Sequence, residues 1–257
     1  MRSKLSALAI VLLASGCSGL EHMDTDELWS AGDSRFNSGQ YGEAIPYYAE
    51  LLNRDEQDSQ ARIMRGVSYE RTGESGAALA DYAKVGHQGD VRGLLYSTNL
   101  HIEQGSYGAA EADLGRLKTM GVSGRDRVIQ LCLIGTLRLE QGQYMLAAQS
   151  LERAIEEGSS FGDATIRERV RDAQMNAAQC YYHLGDFGRA YDHAIAFAQG
   201  GSMSGRDHYT VGLIAYMAGD FTTADEQLAQ ADPNLVARAA EILDDPSFGA
   251  GGGEWNQ

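Results

Sequence analysis

Apolar positions along most of this chain follow the spacing of amphipathic helices. They recur three and four residues apart, which is typical of one buried helix face. One such run is Ala44, Ile45, Tyr48, Leu51 and Leu52. Six times the helical pattern is interrupted by a glycine that is followed two positions later by an aromatic residue or, once, by serine. These glycines are Gly39, Gly73, Gly105, Gly142, Gly185 and Gly219. The pattern predicts six pairs of antiparallel helices, each joined by a tight turn.

Small residues surround every turn at fixed distances. The alanines five positions after the glycine are Ala44, Ala78, Ala110, Ala147, Ala190 and Ala224. The residues seven positions before it are Gly32, Gly66, Thr98, Gly135, Ala178 and Gly212, and those nine positions after it are Tyr48, Tyr82, Leu114, Leu151, Ala194 and Leu228. Small side chains let the two helices approach closely, and glycine accepts the left-handed conformation that ends a helix. One pair cannot bury its apolar face alone, so the pairs are expected to stack.

The order of small residue, turn glycine, aromatic residue and alanine resembles the tetratricopeptide repeat, a unit of about 34 residues. The resemblance covers residues 25–238 and implies an all-α, right-handed superhelical solenoid of about six helix pairs. The chain departs from the family where Thr98 replaces glycine and where Pro233 alone approximates the proline after the second helix. The fourth and fifth turn glycines lie 43 residues apart. Longer helices or a loop are therefore expected near residues 158–170.

The carboxyl-terminal part contains one more amphipathic segment, residues 234–244. Its apolar side comprises Leu235, Val236, Ala239, Ile242 and Leu243. This segment is expected to form a helix that caps the open end of the last repeat, with residues 239–244 as its end. Residues 245–257 are rich in glycine and are predicted to be a disordered tail.

Residues 1–16 have the pattern of a secretory signal peptide. Basic Arg2 and Lys4 precede a short apolar run, residues 5–14, which is too short to span a bilayer. A small-residue cleavage site follows. The pattern predicts a chain exported from the bacterial cytoplasm.

The segment Ala14-Ser15-Gly16-Cys17 resembles the lipobox of bacterial lipoproteins, although leucine is more usual where this chain has alanine. The resemblance implies that Cys17 becomes the lipidated first residue and that residues 17–24 tether the helical array to the membrane. Ser18 after the cysteine implies delivery to the outer membrane. The alternative is an ordinary signal peptide and an unmodified Cys17.

The chain is acidic, with a formal net charge of −15. This charge argues against nucleic acid as a partner and against electrostatic attachment to anionic lipid. Attachment would therefore depend on acyl chains carried by Cys17. The sequence predicts a bacterial cell-envelope protein, an outer-membrane lipoprotein that faces the periplasm. The charge also favours a partner segment that is neutral or basic.

No catalytic centre, metal site, cofactor or small-molecule substrate is expected. No two histidines lie three or four residues apart on a predicted helix, and no strand pattern precedes a glycine-rich phosphate loop. The nearest approaches to catalytic groups are His183 beside Tyr182 and Asp186, and His208 beside Asp207. Both are interpreted as surface polar residues.

Two cysteines follow Cys17 in the sequence. Cys132 and Cys180 fall in the first helices of neighbouring repeats and, in a secreted chain, are able to pair if they lie close together. Because they occupy different repeat positions, buried free thiols are favoured over a disulfide.

In the tetratricopeptide family, the first helix of each pair lines a concave, partner-binding face. Carrying that register onto this chain predicts an apolar and aromatic groove with interspersed amides. The predicted groove residues are Trp29, Phe36, Ile63, Leu95, Asn99, Met175, Asn176, Gln179, Tyr182, Tyr209 and Tyr216. The alternative is that these side chains pack between repeats.

The resemblances together favour a membrane-anchored scaffold or adaptor that binds another envelope protein, in pilus, secretion or outer-membrane assembly. One alternative is a soluble periplasmic binding protein without a lipid anchor. Another is an envelope enzyme or ligand sensor that uses the concave groove.

Overall fold

The computed structural model describes residues 19–243, with side chains up to residue 240. Within this range it contains thirteen α-helices after a 3-10 turn, Leu20–His22, and no strand, so the all-α prediction is confirmed. The helices are α1 Thr25–Asn37, α2 Tyr41–Arg54, α3 Ser59–Arg71, α4 Ser75–His87, α5 Val91–Glu103, α6 Tyr107–Met120, α7 Gly124–Glu140, α8 Tyr144–Gly158, α9 Ala164–His183, α10 Phe187–Gln199, α11 Gly205–Ala218, α12 Phe221–Leu228 and α13 Pro233–Leu243.

The first twelve helices form the six predicted pairs. Aspartate side chains fix the starts of several first helices by accepting a backbone N–H of the first turn, as expected for N-caps. These aspartates are Asp24, Asp58, Asp90 and Asp163. Asp24 also forms a reciprocal capping box with Glu27. Local hydrogen bonding therefore sets where the pairs begin.

The six turn glycines share one conformation. Their φ angles lie between 69° and 85°, in the left-handed region that the sequence predicts. In the second turn, the Gly73 N–H donates to the Glu70 carbonyl at 3.1 Å, and the Glu74 N–H donates to the Tyr69 carbonyl at 2.8 Å. This pair of bonds is the Schellman pattern, and it recurs at all six turns.

The small residues before each turn allow close helix contact, as predicted. A Cβ added at Gly66 would lie 2.6 Å from Cε1 of Tyr82, and one added at Gly135 would lie 2.5 Å from Cγ of Leu151. Each glycine thus accommodates the large side chain nine positions after its turn. In these repeats, the small residue seven positions before the turn glycine thus packs against the large residue nine positions after it.

The described part of the chain divides into two compact units, unit 1 up to residue 121 and unit 2 from residue 122. In the described range, unit 1 contains α1–α6 and unit 2 contains α7–α13. Unit 2 contains the longer fourth-to-fifth interval, and the structure resolves it into longer helices. Helix α9 has 20 residues, against 13 in each first helix of unit 1, and α8 has 15, against 13 or 14 in the second helices.

Helix α13 is the predicted capping helix. Its buried Ala239 packs with Ala215 of α11 and with Ala224 and Leu228 of α12. The helix begins at Pro233, one residue before the predicted start, because proline lacks the N–H that a first helical turn leaves unbonded. Residue 244 and the predicted tail, residues 245–257, lie outside the described residues.

The two cysteines of unit 2 are free and buried. Burial raises the pKa of the Cys132 thiol to about 12 and that of Cys180 to about 11. Both side chains therefore act as small apolar core residues, and the favoured prediction of free thiols is confirmed.

Candidate functional site

A groove of about 340 Å³ lies between the first helices of the first two repeats, within unit 1. We call it the unit 1 groove. Its lining residues are Trp29, Asp33, Phe36, Asn37, Gln60 and Met64. Trp29, Asp33 and Phe36 lie four and three residues apart, so α1 presents them on one face. Helix α3 supplies Gln60 and Met64 on the opposite side. The groove therefore includes both sequence-predicted residues of the first repeat, Trp29 and Phe36.

The two aromatic rings of the groove are fixed by other rings. Trp29 lies 5.8 Å from the buried Tyr48 ring, and Phe36 lies 5.1 Å from Tyr41 in an edge-to-face arrangement. Both side chains are half-buried. Such contacts restrict the rings, and the faces that remain exposed are preorganised for binding.

Asp33 adds a fixed carboxylate between the two aromatic residues. The Tyr48 hydroxyl donates to Asp33 Oδ1 at 2.9 Å. Burial, and then the hydrogen bond to Asp33, raise the pKa of Tyr48 well above its ordinary value. The phenol thus remains a neutral donor, and the Asp33 carboxylate is held from beneath by a fully buried side chain.

The sequence register missed Gln60 and Met64. It assigned Ile63 to the groove in the second repeat, but Ile63 is only 2% exposed and belongs to the core. Helical periodicity predicts that residues 60 and 64 share a face. It does not show which of two adjacent faces of α3 the neighbouring helices cover.

Two other predicted groove residues are also buried. Leu95 is 4% exposed and Met175 is 8% exposed, and both occupy the same repeat position as Ile63, ten residues before the turn glycine. Trp29 and Tyr209, at this position in the first and last repeats, stay half-buried. Ile63, Leu95 and Met175 are therefore core residues, and the prediction that they line the groove is wrong.

The predicted amide residues are half-buried, and two of them have partners. Asn99 donates through Nδ2 to Glu103 at 2.7 Å, and Asn176 donates through Nδ2 to the Thr136 hydroxyl at 3.1 Å. Gln179 is likewise half-buried. The Asn176 bond joins two repeats of unit 2, so this amide stabilises the stack.

The predicted tyrosines of unit 2 take part in packing across turns. Tyr182 lies edge-to-face on Phe187, and Tyr216 on Phe221, each at 5.7 Å between ring centroids. The Phe36–Tyr41 contact of unit 1 is the same arrangement. This contact accounts for the aromatic residue two positions after the turn glycine.

Tyr209 packs near these rings, against the cluster that joins α11 and α13. Burial, and then the neighbouring Tyr182, raise the pKa of its phenol. Tyr182, Tyr209 and Tyr216 are half-buried, so each retains some accessible surface.

Of the two histidines considered as catalytic candidates, His183 is exposed, as predicted for a surface polar residue, and His208 is half-buried. His183 stacks on Tyr144 at 4.4 Å, and His208 Nδ1 lies 2.9 Å from Gln227 Oε1. Among the described residues, no group of three or more His, Cys, Asp or Glu side chains is arranged to hold a metal ion. None of the helices in residues 19–243 is long and apolar enough to cross a membrane. Cys17, the predicted lipidation residue, lies outside that range.

Comparison with known families agrees with the helix pairs and turns. The sequence model described as tetratricopeptide repeat matches residues 30–88 and 132–202, slightly more than half of the chain. The chain belongs to the tetratricopeptide repeat family. A search of curated proteins gives no match.

Solved structures show the same fold at low sequence identity. PilF of Pseudomonas aeruginosa has a TM-score of 0.66 and 16% identity, covering 88% of this chain and 95% of that chain. PilW, described as a widely conserved type IV pilus biogenesis factor, has a TM-score of 0.65 and 14% identity, covering 88% and 96%. A chain of the Cut9–Hcn1 complex of APC/C has a TM-score of 0.72 and 15% identity. That match covers 86% of this chain but only 42% of the longer one.

Proposed function

We infer that this tetratricopeptide repeat chain is a scaffold that binds a segment of another cell-envelope protein in the unit 1 groove. The observation that carries this inference is the groove itself. It combines two restrained aromatic rings, a flexible methionine, two amides and a carboxylate. Aromatic anchors in a partly desolvated groove are typical of peptide recognition, and polar groups around them fix orientation.

The comparisons favour pilus biogenesis among the envelope assembly pathways. PilW is a type IV pilus biogenesis factor, and its match extends over 96% of its length. Mutual coverage of 88% and 96% means that the two chains have similar lengths, which suits a similar scaffold role. The proposal for this chain is therefore a pilus-assembly scaffold, with secretion and outer-membrane assembly as the related pathways.

The amino-terminal pattern supports a membrane anchor for this scaffold. A lipidated Cys17 would hold the chain at the outer membrane, facing the periplasm. Stable attachment requires more than one acyl chain, since a single chain binds only marginally. In Cys17→Ser we expect the protein to leave the membrane fraction. A variant that still sediments with membranes after a high-salt wash would contradict the anchor and favour another attachment.

A photocrosslinking experiment tests the groove. A benzoylphenylalanine at position 64, in place of Met64, points the crosslinker at the groove, and the same residue at exposed Ala83 of α4 is the matched control. In intact cells we expect position 64, and not position 83, to capture one envelope protein through a defined segment. Equal capture at both positions, or capture at position 83 alone, would contradict the groove as the binding site.

A further inference from the structure

We propose that the unit 1 groove selects a partner segment that contains a lysine or arginine, and that the cationic group of this residue binds Asp33 between Trp29 and Phe36. The proposal rests on the proposed function, because it assumes that a protein segment occupies the groove. It adds the chemistry by which that segment is recognised.

Asp33 is the one charged residue among the six that line the groove. Trp29 lies one helical turn before it on α1, and Phe36 lies three residues after it. A cation that reaches this carboxylate therefore also passes the faces of two aromatic rings. Lysine and arginine are attracted both to a carboxylate and to an aromatic face, and tryptophan is the strongest aromatic partner.

The carboxylate has capacity for such a cation. Its Oδ1 accepts the Tyr48 hydroxyl at 2.9 Å, while Oδ2 has no hydrogen-bond or ion-pair partner among the described residues. Tyr48 is fully buried, whereas Asp33 is half-buried and lines the groove, so the side chain of Asp33 remains partly accessible there. A carboxylate accepts several hydrogen bonds, and an ammonium or guanidinium group supplies charged donors.

Basic residues of the chain near the groove are engaged with other groups. Arg35 of α1 lies over the Tyr47 ring at 4.5 Å and forms an ion pair with Glu43 at 3.8 Å. Arg92 donates to Gln60 at 2.7 Å and is paired with Asp90 at 2.6 Å. Neither ion pair involves Asp33. The cation that complements this carboxylate is therefore expected to come from the partner.

Charge also argues against the opposite kind of ligand. A terminal carboxylate or a phosphorylated side chain needs basic groups or helix amino termini directed at it. The groove lining contains no lysine or arginine, the amino terminus of α3 beside Gln60 is already capped by the Asp58 carboxylate, and the chain has a net charge of −15. An acidic segment would place its charge beside Asp33 and would be repelled.

The test uses selection from a random twelve-residue peptide display library on three full-length proteins: wild type, Asp33→Asn and Glu70→Gln. Glu70 is the matched control because it accepts the hydroxyl of buried Tyr82 at 2.9 Å, as Asp33 accepts that of Tyr48, but it is not among the groove-lining residues. Both variants remove one negative charge. We expect a lysine or arginine at one fixed position in peptides selected by wild type and Glu70→Gln, and no such residue with Asp33→Asn.

Affinity is then measured with a selected peptide and its lysine→norleucine analogue. The chain has two tryptophans, so Trp255→Phe leaves Trp29 as the one fluorescent reporter of the groove. Norleucine should weaken binding to the otherwise wild-type chain by about five- to tenfold, the combined size of an exposed ion pair and a cation–π contact. On Asp33→Asn the two peptides should differ by less than about twofold. Circular dichroism confirms that each variant is folded.

The outcomes separate this proposal from the proposed function. Peptides that change Trp29 fluorescence but contain no fixed basic residue would overturn the cation proposal and leave the groove as a binding site. If Glu70→Gln loses the preference for basic residues as fully as Asp33→Asn does, the preference comes from the general acidity of the chain. That result would also overturn the cation proposal. The change Gln60→Trp places a large ring in the groove. If the selected peptides bind this variant as tightly as they bind wild type, the groove is not the binding site and both proposals are wrong.

Discussion

At the scale of single residues, Gly93 of α5 has the least space for a side chain among the described glycines of unit 1. A Cβ at this position would lie 2.5 Å from the Gly86 backbone nitrogen and 2.5 Å from the Tyr82 carbonyl oxygen. Both are backbone atoms of α4, so no side-chain rotation relieves the overlap. Gly93 thus determines how closely the second repeat packs on the third.

Gly93→Ala should lower the free energy of unfolding by about 2 kcal/mol or more, because helix α5 must move away from α4. The control is Gly108→Ala on α6, where no atom lies within 4 Å of the added methyl group. The control should be neutral or slightly stabilising, since alanine favours helix more than glycine does. Thermal melts of the two variants compare them directly. Equal melting temperatures would show that α4 and α5 are less closely packed than described.

His193 on α10 is a second residue with a specific role in stability. Its ring stacks on Tyr181 at 5.6 Å, and its Nδ1 lies 2.6 Å from Gln174 Oε1. Burial lowers the pKa of His193 below its ordinary value of 6.5, although Glu152, 3.9 Å from Nε2, and Asp192 act in the opposite direction. Arg189 also lowers this pKa.

The sign of the resulting pH dependence follows from proton binding. Below about pH 6.5 the unfolded chain takes up a proton at this residue that the folded chain resists, so the free energy of unfolding falls with decreasing pH. One such proton contributes at most about 1.4 kcal/mol per pH unit. His193→Gln should reduce this fall, whereas His22→Gln, at an exposed position, should not. Urea titrations between pH 5 and 8 measure the free energy of unfolding as a function of pH. Identical pH profiles for His193→Gln and wild type would show that His193 is not the source of the pH dependence.

The residue scale also shows what the sequence was able to predict. The left-handed conformation of the turn glycines and the close approach of the two helices at the small residues follow from local spacing, and both were predicted. The burial of Ile63, Leu95 and Met175 was not, because it depends on which neighbouring helix covers a given face. Gly93 was missed for a related reason. Its contact joins two repeats, and the repeat signature describes contacts within one.

At the scale of helices, the longest helix of the described range, α9, has a well-defined start. Asp163 accepts the Ile166 N–H at 3.0 Å as its N-cap, and its other oxygen lies 3.1 Å from Arg125 Nε of α7. One side chain thus begins the 20-residue helix and ties it to the fourth repeat. The sequence predicted lengthening near residues 158–170 because the turn glycines are unusually far apart, but it left open whether helix or loop filled the interval.

Asp163→Ala should destabilise unit 2 by about 1 kcal/mol, the usual cost of removing an N-cap. Asp163→Asn should cost much less, because asparagine caps nearly as well and an ion pair to the largely exposed Arg125 contributes little. Chemical denaturation of both variants separates the cap from the charge. Equal losses would mean that the ion pair, and not the cap, positions α9.

At the scale of the whole molecule, the fold and the groove differ in how far the sequence predicts them. Six helix pairs with a capping helix follow from the repeat pattern, because each repeat makes the same local contacts. The groove was predicted only on its α1 side, through Trp29 and Phe36. Its other side, Gln60 and Met64, depends on how α3 packs beside α1, which helical periodicity does not determine.

The central claim is that the unit 1 groove binds a segment of a partner protein. The most direct test is a titration of the crosslinked partner segment, made as a synthetic peptide, against wild type, Gln60→Trp and Ala83→Trp. Gln60 is exposed at the groove, and Ala83 is exposed on α4, so each variant adds the same ring to the surface of unit 1. We predict at least about a tenfold loss of affinity for Gln60→Trp, with an unchanged melting temperature and no loss for Ala83→Trp. Wild-type affinity in a fully folded Gln60→Trp protein would contradict the claim.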